Sequence, residues 1–490
     1  MSNSELAQTS PESLGVSRRA LADFFAGLQE FDPHHILVVL DGKLIARAVR
    51  EPYRMGSRHM THSMTKSFTG TGVGLAVAAG LFGLDDLFVT YFPEYADSGG
   101  YLAEIRVRDL LTMTAGHSKG SSGASWRPLP GSWLPEAMRM PVTERPGTHF
   151  QYGSAASFLL SALVGRLAGV SLHDYLRERV FAPLGISGEQ WDADPSGINS
   201  GGNGLLVKPE DVAKLGLLHL DGGVWNGQRL LPSEWVRAAT SAQVSFPPER
   251  WDQYTYEPHA SGYGYHWWIG PGGAYYASGV FGQYCAVLPA SRAVIVVNAG
   301  AKLAEAHLML DRIWEFGATL RAGEPVGEDT AAGLAVVLPR DEPTPANVTP
   351  PLLAGERLDY QAAPNEDGIT EFRLCADDTG ISVEVVDQDR SSVIRAGFGS
   401  WTPGHTALPG ASLHHEYDMA TAPVACKASW LSCDTLSITC AFTEAAFVDT
   451  LVFQLNPKGL RYDRSVNTNS AQLRRPTVVA ALASPAGNPL

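Results

Sequence analysis

At 490 residues the chain has room for two or three domains. Its formal charge is −14, from 37 Lys and Arg against 51 Asp and Glu, with 44% hydrophobic and 18% charged residues. Such a composition buries a sizeable core and excludes disorder, collagen or coiled coil as whole-chain states, while the acidic balance disfavours nucleic acid or an anionic membrane as partner.

The N-terminal stretch up to Phe25 has no apolar segment after a basic start, so no signal peptide is expected. Residues 35–50 contain two apolar runs joined at Asp41-Gly42, which predicts a β-hairpin. The uncharged stretch Ser67 to Leu84 carries glycines at 70, 72, 74, 80 and 83. It is too weakly apolar for a membrane span and reads as the body of a buried helix running from Ser63 to Ala79. Residues 85–200 predict mostly helix and loop, including a helix over Ser154 to Ala168. Two more helices are expected at 209–220, opened by Pro209-Glu210-Asp211, and at 232–240. The periodicity then changes to short apolar runs broken by Gly and Pro (YGYHWWIG, AYYASG, QYCAVLP, AVIVVNA), which predict neighbouring antiparallel strands. A helix over Leu303 to Leu320 closes a first domain at 1–322, whose sheet is built from both of its ends.

Residues 323–355 have the Pro, Gly and Glu content of a linker, and 356–470 alternate at period two as an all-β domain. Residues 471–490 end in small residues and Pro and read as a loose tail. The five cysteines (Cys285, Cys375, Cys426, Cys433, Cys440) are odd in number. With no export signal in view, the expectation is a cytoplasmic protein with reduced thiols.

Three short segments could carry chemistry. Ser63-Met64-Thr65-Lys66 is the one Ser-x-x-Lys in the chain. Positions i and i+3 share a helix face, so the Lys66 amine can reach the Ser63 hydroxyl and act as its base. Alternatively, Ser63 is a helix cap and Lys66 a surface residue. Tyr152-Gly153-Ser154 opens another helix. A phenol beside an ammonium loses its proton more easily, which suits Tyr152 to a proton relay, although a tyrosine in the core is the plainer reading. Gly279-Val280-Phe281-Gly282-Gln283 ends a strand, where a glycine admits close approach and a main-chain N–H could meet an oxyanion; alone, it is a strand glycine and a turn.

Taken together, the order and placement of these segments resemble the serine β-lactamase and penicillin-recognising superfamily. Leu110 to Gly116, the stretch from Gly201-Gly202 to Val236, and FGQYCAVLPASRAVIVVNAGAK extend the likeness over roughly residues 10–320. The resemblance implies an α+β fold: a β-lactamase-like antiparallel sheet flanked by helices with an inserted helical lobe, here followed by a C-terminal all-β domain. It implies Ser63 as acyl-accepting nucleophile, Lys66 as base partner, Tyr152 as proton relay and the Val280 N–H as second oxyanion donor. Ser154, Gly279, Gln283 and Tyr275 are the expected substrate-contacting positions, and one or two of Trp126, Trp133, His117 and Tyr275 are expected on the substrate rim.

Two positions depart from the family pattern. The second motif ends in Ser154 where class C enzymes have Asn, and the third is Ala277-Ser278-Gly279, without the cation that meets a substrate carboxylate. The Gly-x-x-Gly-Gln ending and Trp267-Trp268 are closer to the branch of 6-aminohexanoate-dimer hydrolases, family VIII-type esterases and D-amino-acid amidases. The implied substrate is a small ester or amide, with a β-lactamase or D-amino-acid peptidase as rival, and a non-catalytic ligand-binding protein as the rival of another kind. His59 and His62 precede Ser63 as His-Met-Thr-His, but no carboxylate or Cys pattern accompanies them, so no metal and no organic cofactor is expected. The sequence leaves a homodimer open.

Overall fold

The computed structural model describes residues 5–483 apart from 97–98, 122, 247–259, 321–332, 341–354, 388–389, 407, 409 and 420–421. The chain divides into two compact units, the first made of Met1–Val49, Met55–Ala299 and Ala304–Leu338, the second of Arg50–Arg54, Gly300–Leu303 and Pro339–Leu490.

In the first unit, helix α1 (Arg18–Leu28) leads into the hairpin of β1 (Pro33–Leu40) and β2 (Lys43–Arg50). Asp41 and Gly42 take φ of 48° and 74°, the pair of left-handed residues that a two-residue hairpin turn requires. Next in the chain come helices α2 (Thr65–Ala78), α3 (Ser154–Ala168) and α4 (Pro209–Leu220). They precede the short strands β3 (Val244–Ser245), β4 (Gly262–Tyr263) and β5 (Trp268–Ile269). Strands β6 (Tyr275–Gly279), β7 (Gln283–Leu288) and β8 (Ala293–Ala299), helix α5 (Leu308–Gly317) and strand β9 (Leu334–Leu338) complete the unit.

These strands form one nine-stranded sheet in the order β9-β2-β1-β8-β7-β6-β5-β4-β3. Val39 of β1 faces Leu44 of β2 on one side and Val294 of β8 on the other, both antiparallel, so the hairpin and the late strands share the sheet's centre. That centre is buried on every residue of β1 and β8, as their unbroken apolar runs require. Helix α4 packs on β1, β7 and β8, while α1 and α5 lie together through Phe24 and Phe316, stacked at 4.4 Å. Helix α2 is buried almost all round, which explains why its sequence is glycine-rich and, Lys66 apart, uncharged. It starts after a separate 3-10 turn, His62–Met64, rather than at Ser63. Among the described residues no single helix is long and apolar enough to cross a membrane.

The second unit is a β-barrel. Its strands are β10 (Arg357–Ala362), β11 (Ile369–Ala376), β12 (Gly380–Asp387), β13 (Ser391–Phe398), β14 (Thr402–His405), β15 (Pro423–Trp430), β16 (Thr435–Phe442), β17 (Val448–Asn456), β18 (Gly459–Val466) and β19 (Val478–Leu482). They run in the order β13-β12-β11-β10-β19-β18-β17-β16-β15-β14, and a parallel pairing of β13 with β15 closes the ring. Closure removes the unpaired edges that would invite other chains. Phe372, Phe453 and Tyr462 fill the interior, with ring centroids 5.0–6.2 Å apart. A buried ion cluster sits among them: the Asp449 carboxylate accepts from His414 Nε2 at 2.9 Å and from Arg464 Nε at 2.8 Å. Burial opposes its ionisation, but Arg464 and His414 win and hold the carboxyl below its ordinary pKa. Cys426 and Cys440 stand directly opposite on β15 and β16, their thiol sulfurs 3.1 Å apart.

Two boundaries differ from those expected. Leu334–Leu338 lies inside the stretch of linker composition yet adds β9 to the sheet, and Val478–Leu482 lies inside the expected tail yet fills the gap between β10 and β18. Both are five-residue strands set among Pro, Gly and small residues, whose signal is carried by strand partners distant in sequence.

Candidate active site

Ser63 sits at the centre of the His62–Met64 turn, half-buried, immediately before the first turn of α2. The Lys66 side chain comes off that first turn and is only 2% exposed. Its Nζ donates to Ser63 Oγ at 3.1 Å, to the Gly202 carbonyl at 2.9 Å and to Ser154 Oγ at 3.4 Å. The same nitrogen lies 4.7 Å from the centre of the Tyr152 ring. Burial disfavours the ammonium and brings the Lys66 pKa down from 10.5 to about 7. A lysine so placed is neutral for about half of the time at neutral pH, which lets it accept a proton from the serine it touches.

Three segments distant in sequence meet this helix turn. The first is the Tyr152-Gly153-Ser154 turn that starts α3. It is fastened from the 120–121 loop, where Ser121 accepts from Ser154 N through its carbonyl at 2.7 Å and from Ala155 N through its hydroxyl at 2.8 Å. The Tyr152 ring packs against Trp268 at 5.1 Å and Tyr263 at 6.1 Å. The second is the Gly201-Gly202 segment, whose carbonyls accept from Thr69 Oγ1 at 2.6 Å and from Lys66.

The third is the turn between β6 and β7. Gly279 presses on the Ser63 turn: a Cβ there would lie 2.4 Å from the Thr61 carbonyl and 3.2 Å from Met64 N, so only glycine fits. Val280 follows it, half-buried, at the start of the turn. Phe281 and His62 are both non-glycine residues with positive φ, 66° and 46°, and their rings meet edge-on at 5.3 Å. Two strained residues locked against each other beside Ser63 mark a conformation held by its surroundings.

Some expected residues lie elsewhere. The Gln283 amide is fully buried: Nε2 donates to the Ala299 and Phe281 carbonyls at 2.8 and 3.1 Å, and Oε1 accepts from Asn298 at 3.0 Å. Gln283 therefore braces the turn and has no polar atom left for a substrate. Tyr275 begins β6, four residues from Gly279 and so about 13 Å away along the strand. It is buried against Trp267, and burial pushes its phenol far above the ordinary value. Trp126 and Trp133 pack with Phe158 as an interior aromatic cluster, and His117 is buried, with burial lowering its pKa to about 4. None of these four forms an exposed rim. His59 is also interior, its Nε2 3.0 Å from His34 Nδ1. Among the described residues no group of three or more His, Cys, Asp or Glu is placed to hold a metal ion.

Two contacts to Lys66 have no residue-type signal in the sequence. The Gly202 carbonyl is a main-chain acceptor, which no side-chain pattern reveals. His266, between β4 and β5, contacts Lys66 itself through the lysine's carbonyl.

A serine hydroxyl held by a buried lysine one helical turn on, beside a helix-flanked antiparallel sheet, is a β-lactamase-like arrangement. The chain belongs to the Beta-lactamase family, whose model matches residues 26–317. It is 25% identical over 233 residues to a 6-aminohexanoate-dimer hydrolase of Paenarthrobacter ureafaciens, covering 44% of this chain and 59% of that one. It is 24% identical over 186 residues to a beta-lactamase of Yersinia enterocolitica, covering 35% and 42%. The chain thus spans between two-fifths and three-fifths of these relatives' lengths. Among solved structures, the octameric penicillin-binding protein homologue from Pyrococcus abyssi matches with a TM-score of 0.50 at 15% identity. It covers 94% of this chain and 99% of its own, a likeness of fold.

Proposed function

We propose that the chain hydrolyses an ester or amide bond of a small substrate through an acyl-enzyme on Ser63. The observation that carries this reading is the Lys66 amine, stripped of water and 3.1 Å from the Ser63 hydroxyl. Ser63 Oγ attacks the substrate carbonyl while neutral Lys66 takes its proton. The main-chain N–H groups of Ser63 and Val280 receive the oxyanion. As the tetrahedral intermediate collapses, the carbon–oxygen or carbon–nitrogen bond breaks and the leaving alcohol or amine takes a proton by way of Tyr152. Water then attacks the acyl-enzyme, releasing the acid and restoring the Ser63 hydroxyl. Ser154, within reach of Lys66 Nζ, helps hold the amine's direction.

The absence of a cation in Ala277-Ser278-Gly279 favours esters and amides without a carboxylate beside the scissile bond. The test is turnover of matched p-nitrophenyl esters, p-nitroanilides and nitrocefin by wild type and Ser63→Ala. Ester or anilide turnover lost in the variant, with little or no nitrocefin turnover, supports the reading. Turnover of nitrocefin alone would make the chain a β-lactamase. Turnover of all three that survives Ser63→Ala would remove Ser63 from the mechanism.

A further inference from the structure

His266 is bound from every side. The residue is 2% exposed, and its ring stands between the two helices that carry the site. Nδ1 lies 2.9 Å from the Lys66 carbonyl, and Nε2 lies 3.3 Å from Ser157 Oγ on α3, one turn beyond Ser154. With the ring proton on Nδ1, toward the Lys66 carbonyl, Nε2 accepts from the Ser157 hydroxyl; the Leu110 carbonyl also faces the ring. The His266 carbonyl accepts from Ser67 Oγ at 2.6 Å, which ties its main chain to α2 as well.

Two further features match this arrangement. His266 has φ of 61°, an unfavourable state for a non-glycine residue that persists only where surroundings impose it. On the facing side of α2, a Cβ at Gly70 would lie 3.1 Å from the Tyr265 carbonyl and 3.2 Å from His266 Cβ. The helix has a gap where the histidine loop docks.

We propose that His266 is a positioning residue of the acyl-transfer site, its imidazole linking the Lys66 carbonyl on α2 to Ser157 on α3 and so fixing the Ser63–Lys66 turn against the Tyr152–Ser154 turn. This rests on the reading of Lys66 as the base for Ser63. Among the described residues Lys66 has no anionic partner to hold its amine; its direction depends on three neutral acceptors from three segments, and a small drift of α2 against α3 breaks that set. Burial, with the nearby Lys66 charge, brings the His266 pKa to about 3, so the bridging ring stays uncharged through the neutral range.

The experiment follows the second-order rate of fluorophosphonate labelling against pH in the full chain, by intact mass, for wild type, His266→Gly, His266→Asn and Ser157→Ala. In this reaction Ser63 Oγ displaces fluoride from phosphorus and its proton goes to Lys66. Glycine accepts the left-handed backbone but removes the bridge, and the rate should fall by up to about 100-fold, the scale of an ångström-sized misplacement. Its acid limb should also move to higher pH, as water reaches the Lys66 amine. Asparagine tolerates the same backbone and offers an amide donor near the Nδ1 position, so it should recover most of the rate. Ser157→Ala should shift the limb in the same direction by less, and it decides the matter if the glycine variant does not fold. Wild-type rates and an unmoved pH limb in the folded variants would reduce His266 to a structural residue. Labelling that persists in Ser63→Ala or Lys66→Ala would instead overturn the mechanism on which the inference stands.

Discussion

Replacing Lys66 by Met should destroy activity and stabilise the first unit, and the gain should depend on pH. Burial brings the lysine from 10.5 to about 7. At about 1.4 kcal/mol per pKa unit, holding the ammonium in place costs on the order of 5 kcal/mol. At pH 6 the amine is charged in folded and unfolded chains alike, so the whole cost weighs on stability. Above neutrality the folded protein sheds this proton while the unfolded chain keeps it, so the cost falls as pH rises and is about 2 kcal/mol at pH 9. Methionine escapes the cost and gives up the bonds to Ser63, Ser154 and Gly202, a loss that is the same at both pH values. The stability of Lys66→Met relative to wild type should therefore be greater at pH 6 than at pH 9 by about 3 kcal/mol. Urea unfolding of both proteins at the two pH values measures this, since every other titrating group is common to the pair. A relative stability that does not change with pH, or that changes in the opposite direction, would refute the idea that desolvation sets the lysine.

Three other outcomes are expected. Wild-type acylation should rise through an acid limb centred near pH 7, because Lys66 must be neutral to take the serine proton; His117 and His266, lowered to about 4 and 3, do not titrate there, and a limb near pH 4 would point away from Lys66. Gly279→Ala should leave a folded protein that loses about 100-fold or more in labelling rate, since its Cβ would push on the Thr61 carbonyl from 2.4 Å; unchanged labelling would mean that the turn is looser than the contact implies. Asp449→Asn should cost the barrel about 3–5 kcal/mol by stranding Arg464 and His414 in the interior, seen as a lowered melting transition, while Ser63 labelling of the folded protein stays as in wild type.

The parts of the site that could be read from the sequence are those whose geometry is local. Ser63 and Lys66 are joined by helical spacing, so their contact follows from four consecutive residues. The bounds of α3 and α4 follow from apolar periodicity and first-turn residues. Gly202 and His266 reach Lys66 from 136 and 200 residues away, and each binds through or to a main-chain carbonyl, which carries no residue-type signature. Tyr275, Trp126 and Trp133 illustrate the opposite error. Their Gly- and Pro-rich surroundings suggest surface loops, but large aromatic rings gain most from leaving water and turn inward. Gln283 has the chemistry of a substrate contact, yet four main-chain and side-chain partners converge on its amide inside the turn.

Intact-mass and peptide analysis after fluorophosphonate treatment of wild type and Ser63→Ala is the most direct measurement of Ser63 as a nucleophile. One adduct per chain, located on Ser63 and absent from the variant, is the predicted result. A folded wild type that takes no adduct, or an adduct that remains in Ser63→Ala, would contradict it.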